Sequence, residues 1–413
     1  MKSLYESIMG DSLFKNSMFL MLSSGVMAVL GFVFWLICAR LFSAHDIGLA
    51  TTIISVMGLI TSFSLLGLNS GLIRYLPDST NRDRKINTCF TLVALVTIVI
   101  SAVFIIGLEK FSPSLLFIKD NLFLALSFIF FAVIASWGSI IDSIFISLRS
   151  SHFVLTKSAI FGVIKIVLPF ALVSWGAYGI FSSYMIAMLA GFITVFVILM
   201  IKFQYKPKFV FYDEVIKRIG RFSFGNYVAG FIGGLALMLM PLIITNTINP
   251  TTTAYYYMAM MIASLLFVIP SSTTSSLFAE GSHDERKLKK KTRSAIKIIA
   301  FLLIPAILAI VFFGQYILLA FGKEYSTQGF TFLKIMAVSG IFVSINSVFG
   351  SIFKIKKKIK QIIWVNVIGA VVIIGLSYFF LTLGHSLVGI GIAYIAGQIA
   401  MNLAYWGMSR RKR

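Results

Sequence analysis

Two charges set inside apolar stretches, Asp142 and Lys165, are the groups in this chain best placed to do chemistry. An ionised group in hydrocarbon is costly, so it faces a cavity or a partner and often marks a path for ions or polar cargo. Asp142 precedes Arg149 by seven residues, which puts it about 10 Å above the cytoplasmic end of its helix. Lys165 follows Lys157 by eight residues, about 12 Å above the same end. Both are expected at similar depth on adjacent antiparallel helices. Two readings stand together: a structural salt bridge that lets both be buried, or a cation site lining a cavity, with Asp142 tuning Lys165 or exchanging protons.

Arg74 closes a second informative stretch, Gly67 to Pro77, in which Gly67, Asn69, Ser70 and Gly71 form the most polar part of an apolar segment. Such a segment packs on protein or lines water. Its guanidinium could grip a phosphate bidentately near the inner mouth, or snorkel to the headgroups. Lys334 is expected about four residues inside its span and should snorkel outward. Asn226 and Asn346 are single amides in spans, whose default role is bonding between helices. The hydroxyl-rich run Pro270 to Ser276 reads as small-residue packing. The basic run Arg286 to Arg293 reads as topology and contact with anionic lipid.

The elements that must hold these residues follow from composition. The chain has 413 residues, 59% hydrophobic and only 12% charged. Soluble domains are about 45–50% apolar and about 25% charged. A soluble enzyme, a disulfide scaffold and a disordered chain are excluded, leaving an all-α polytopic membrane protein. Twelve apolar stretches are long enough to cross a bilayer core of about 30 Å. Among them are Ile47 to Tyr75, Leu122 to Leu148, Val154 to Trp175 and Phe330 to Phe353. The first of the twelve, Met18 to Cys38, reads as a retained span and not a signal peptide.

The 36 basic residues outnumber the 14 acidic ones. With a cytoplasmic N-terminus, thirty of them fall on the inner side and four on the outer, a strong positive-inside bias. It predicts both termini inside and accounts for the net +22 without nucleic acid. The basic stretch Lys202 to Arg221 divides the spans into two six-helix bundles, residues 1–208 and 209–413. Cys38 and Cys89 fall near opposite faces and are not expected to pair. No phosphate loop, dinucleotide motif, nucleophile elbow or metal-ligand spacing is present, so no cofactor, metal or enzymatic activity is expected.

The assembled pattern resembles the Wzx-type oligosaccharide flippases of the multidrug, oligosaccharidyl-lipid and polysaccharide exporter superfamily. Three blocks carry the likeness. The first is ARLFSAHDIGLA from Ala39, where Arg40, Asp46 and Gly48 match and Ile47 replaces the usual aromatic, leading into GLNSGLIRYLP. The second is DSIFISLRS from Asp142, with Lys157 and Lys165 following. The third starts at Phe321, with Gly322, Tyr325, Leu333, Asn346 and a basic loop; a Pro common near Ile341 to Val343 is absent. The resemblance implies a carrier of polyprenyl-diphosphate-linked oligosaccharide in the inner membrane, acting by alternating access around a cationic cavity in O-antigen or related lipopolysaccharide assembly. Arg74, Arg149 and Lys165 would offset the diphosphate; other polysaccharide-assembly membrane proteins would be partners.

Two rivals remain. A multidrug extruder would want acids for cationic cargo, whereas Asp142 is the one acid inside a span and faces a lysine. A membrane enzyme of glycan assembly would need acidic or His residues on large outer loops, whereas Asp46 stands nearly alone on a short one. A lipid II flippase is a nearer relative, but that family usually has more spans.

Overall fold

Helix is the backbone that satisfies its own N–H and C=O groups in lipid, and the chain uses it throughout. The computed structural model describes residues 12–77, 81–283, 288–384 and 387–410, and no strand occurs among them. Twelve helices are long and apolar enough to cross a membrane. They are α1 (Ser12–Leu41), α2 (Ala44–Ser64), α3 (Arg82–Ile106), α4 (Leu122–Ser147), α5 (His152–Ala171) and α6 (Gly176–Lys202). After a linker come α7 (Asp213–Thr247), α8 (Pro250–His283), α9 (Leu288–Phe321), α10 (Lys323–Ile355), α11 (Ile359–Thr382) and α12 (Leu387–Arg410). Contacts divide the chain into two compact units, Met1–Tyr227 and Val228–Arg413.

In the first unit α5 lies along α1 and α6, while α4 packs with α3 and α6. In the second, α11 pairs with α12, and α10 packs with α8, α9 and α12. Large side chains such as Phe301, Phe312 and Leu122 are exposed, as expected of residues that meet lipid tails. Interior positions hold Ser, Thr and Gly, which let helices approach closely where water supplies no hydrophobic drive between them. One example is the hydrogen bond between the Ser23 and Ser158 hydroxyls, 2.7 Å, across the α1/α5 seam.

The second span is shorter than its hydropathy suggests. It stops at Ser64, and the polar stretch forms a separate helix, Leu68–Tyr75. Leu66 and Gly67 both take positive φ, 48° and 79°. Two left-handed residues in succession cannot continue an α-helix, and Gly67 carries no Cβ to resist the turn. The short helix buries Leu68 and Leu72 in a core with Ile140, Ile141 and Ile144.

At the start of α2, the Ser43 hydroxyl donates to Asp46 Oδ2 at 2.6 Å and accepts from the Asp46 N–H at 3.1 Å. The other carboxylate oxygen, Oδ1, accepts from the Ala177 N–H at 3.1 Å, at the start of α6. Gly176 makes this possible: its φ is +54°, and a Cβ there would lie 3.0 Å from Asp46 Oδ1. Asp46 thus bolts two helix starts together. Asp46→Ala is expected to lower stability by about 1 kcal/mol, seen as a lower unfolding temperature.

The linker is fastened rather than loose. Asn87 on α3 donates to Lys206 O at 3.0 Å and accepts from the Lys208 N–H at 3.0 Å and from the Tyr205 hydroxyl. Burial, reinforced by nearby Asp83, pushes the Tyr205 pKa up and keeps the hydroxyl a donor. The connection Glu109 to Asn121 folds into short helical turns tied by a Lys119–Glu109 ion pair at 2.5 Å. Lys119 holds the Glu109 carboxyl below the usual carboxylate range.

Candidate functional site

The α4–α5 hairpin determines which charges meet. Its tight turn places Arg149 at φ 53° and closes with the Ser150 N–H donating to Phe145 O at 2.8 Å. From that turn, Asp142 lies five residues inside α4 and Lys157 five residues inside α5. They therefore stand at equal depth, and Lys157 Nζ reaches Asp142 Oδ2 at 2.5 Å. The same ammonium donates to Gly138 O at 2.8 Å. Asp142 Oδ1 is buried without a hydrogen-bond partner among the described residues.

The expected pairing of Asp142 with Lys165 is therefore incorrect. It took Lys157 as the edge of the membrane, when Lys157 is already more than a turn inside its helix. Lys165 lies two further turns along α5 and points into the seam with α1 and α6. It is 2% exposed. Its Nζ sits 4.5 Å from the ring centre of Phe161 and 5.6 Å from those of Phe34 and Tyr184. Gly31 on α1 lies beside it, where a Cβ would make ordinary contact with Nζ at 3.8 Å. Lys165 has no hydrogen bond or ion pair with any described residue. Aromatic faces attract a desolvated cation by about 2 kcal/mol, against several kcal/mol for burying it. The rings offset part of the cost and leave an appetite for an anion.

Arg74, Ser70 and Ile73 form the exposed face of the short helix, and Asn69 is half-buried. The Arg74 guanidinium stands 5.6 Å from the Tyr75 ring centre. That helix packs on α3 and α4, so Arg74 and Lys165 belong to different seams of the first bundle. Arg149 is exposed at the hairpin tip. The cations expected to act together thus divide into a surface pair and one buried charge.

Lys334 stands further from its helix start than the apolar stretch suggested. α10 begins at Lys323 rather than near Phe330, so Lys334 is eleven residues inside it, over the Phe330 ring at 4.6 Å. The polar start KEYSTQG is helical because Tyr325, Ser326 and Gly329 are buried and Tyr255 donates to Glu324 Oε2 at 2.9 Å. The side chain of Asn226 lies outside the described residues. Asn346 bonds between helices, donating to Gln398 Oε1 at 2.6 Å. Cys38 and Cys89 are separate buried thiols.

Sequence reasoning missed three groups. It read Lys157 as a cytoplasmic charge, and it did not single out the rings of Phe34, Phe161 and Tyr184. It also left aside Asn366, which donates to Ala229 O at 2.8 Å beside a 50 Å³ cavity shared with Gln398 and Tyr394. The spacing Phe161–Lys165, one turn apart, was the legible signal for the rings.

A family model described as "Polysaccharide biosynthesis protein" matches residues 37–330. No curated protein sequence matches the chain. Among solved structures, it is similar to the lipid II flippase MurJ in an inward closed conformation, with TM-score 0.75 and 15% identity over 95% of this chain and 87% of that one. It is similar to an inward-facing multidrug resistance MATE family transporter of the MOP superfamily, with TM-score 0.71 and 16% identity over 93% and 94%. A MOP superfamily transporter from Pyrococcus furiosus, described as having a binding pocket of reverse polarity, gives TM-score 0.66 and 15% identity over 97% and 95%. At this identity the likenesses show a shared fold.

Proposed function

The chain belongs to the polysaccharide biosynthesis protein family, and from that premise we propose that it is a flippase for polyprenyl-diphosphate-linked oligosaccharide. It carries the cargo from the cytoplasmic to the outer leaflet of the inner membrane by alternating access. The observation that carries this reading is Lys165, a cation 2% exposed in a span and lacking a carboxylate partner among the described residues. A diphosphate-sugar head group is anionic and cannot cross hydrocarbon unaided. A buried ammonium is costly until such a group arrives, and the cargo's own charge then compensates it. Arg74 and Arg149, exposed on the same bundle, supply first contacts for the diphosphate. The prenyl tail stays in lipid. Consumption of the product outside is sufficient to drive net movement.

The extruder reading is disfavoured because Asp142, the acid a cationic drug would need, is already occupied by Lys157. In cells lacking the protein, surface glycan is expected to be lost while complete lipid-linked repeat units accumulate on the inner leaflet. Truncated or unpolymerised units would point to an enzyme instead, and unchanged glycan with altered drug sensitivity to an extruder. Both termini are cytoplasmic in this reading. A tag placed after Arg413 is expected to resist external labelling of intact cells, and its labelling would reverse the orientation.

A further inference from the structure

The cytoplasmic ends of α8 and α9 carry a feature that flipping does not use. The span Pro250–Ser282 has 33 residues and α9 has 34. At 1.5 Å per residue each is about 50 Å long, against a hydrocarbon core of about 30 Å. Counted from its outer start at Pro250, α8 leaves the hydrocarbon near Pro270. The hydroxyl-rich run and the start of the lysine-rich helix therefore lie at the level of the inner headgroups.

There the two helices enclose a cleft of 320 Å³, within the range of about 300–1,000 Å³ typical of small-ligand sites. One wall is a face of α8, with Thr273, Ser276 and Glu280; the other is a face of α9, with Lys290, Lys291 and Ser294. Leu277 and Ala295, 4% and 5% exposed, make an apolar floor. Thr273 has spent its hydroxyl proton on Ile269 O at 2.9 Å. Ser276 and Ser294 have no hydrogen bond to any described residue. Lys291 is held by Glu280, donating to its carbonyl at 2.8 Å and lying 3.6 Å from its carboxylate. Lys290 has no ion pair among the described residues. Among the described residues the walls thus offer one ammonium without an ion pair, a second fixed beside it, and two hydroxyl donors. That donor set suits phosphoryl oxygens, which only accept.

We propose that this α8/α9 cleft binds the phosphoryl head group of an anionic membrane lipid. The shared chemistry has two sources, the phosphate of an inner-leaflet phospholipid and the diphosphate of a prenyl carrier. The depth of the cleft and its lipid-facing helices favour the membrane over free phosphate. The site lies within the second unit and is independent of Lys165, so it goes beyond the flippase reading and can be tested without transport.

The test uses full-length protein in nanodiscs of phosphatidylcholine doped with phosphatidylglycerol, with retained lipid read by native mass spectrometry. The triple variant Ser276→Ala, Lys290→Gln, Ser294→Ala is expected to retain phosphatidylglycerol about a hundredfold less tightly, the loss of one charge-assisted bond and two neutral ones at the low end of their range. Lys358→Gln removes the same charge from the loop before α11 and is expected to bind as wild type. Equal loss in both variants would reduce the effect to general surface charge and overturn the proposal, as would retention unchanged in the triple variant. Polyprenyl diphosphate that displaces phosphatidylglycerol from wild type but not from the residual binding of the triple variant would identify the carrier as the natural source. Failure of polyprenyl diphosphate to displace it would identify the phospholipid. Inorganic phosphate displacing it as readily as either lipid would overturn the lipid assignment.

Discussion

Replacing Lys165 by Met is expected to abolish export of surface glycan while making the purified protein harder to unfold. The two effects come from one cause. Lys165 is 2% exposed and stands among Phe34, Phe161 and Tyr184 with no described counter-ion. An apolar side chain of similar length keeps the ring contacts and removes the desolvation cost. Substituting buried charges by hydrophobic residues of like volume stabilises proteins by about 1–4 kcal/mol in favourable cases. If the charge exists to meet a diphosphate, the same change removes the cargo's main electrostatic partner in the first bundle. Lys165→Arg keeps the charge and is expected to retain partial export. Thermal unfolding in detergent and quantified surface glycan read the two effects separately. Wild-type export by the Met variant, present at normal level in the membrane, would sink the assigned role.

The second large effect concerns the α4–α5 hairpin. Asp142→Asn and Lys157→Met are each expected to destabilise the protein by about 2–3 kcal/mol, and the double variant by clearly less than their sum. Each single change strands the opposite charge in a low-dielectric seam, which costs more than the pair contributes. The Lys157 and Asp142 side chains are 15% and 30% exposed, so solvent screens part of the interaction and the lower end of the buried-pair range applies. A coupling energy near 2 kcal/mol is expected for Asp142 with Lys157 and near zero for Asp142 with Lys165, since coupling needs shared contact. A double-mutant cycle from chemical denaturation in mixed micelles measures both. Coupling between Asp142 and Lys165 would contradict the geometry of the hairpin.

Much of the fold was legible before any coordinates. The absence of water in hydrocarbon leaves helices as the economical choice, and a helix of known rise converts apolar length into spans. That is why twelve spans and the all-α class could be read from composition and periodicity. The interruption at Leu66–Gly67 was partly legible in Gly67 and Asn69, but hydropathy averages over single dihedrals, so α2 was drawn through it. The early start of α10 was hidden for the converse reason. Lys323 to Gly329 is polar, yet it is helical because Tyr325 and Ser326 are buried and Glu324 accepts from Tyr255, a residue 69 positions away.

Local chemistry and tertiary chemistry separate cleanly at the charges. Which residues are ionisable, that two of them sit inside apolar helices, and which connections carry the basic residues all follow from residue order. Partnership does not. Whether Asp142 meets Lys157 or Lys165 depends on a five-residue register about one tight turn. Whether Lys165 faces lipid, a carboxylate or three rings depends on how α5 is rotated against α1 and α6. Helix rotation and register are set by close packing of many distant side chains, each contributing little. No local pattern encodes that sum, so the identity of the buried cation was in the sequence and its want of a counter-charge emerged only on folding.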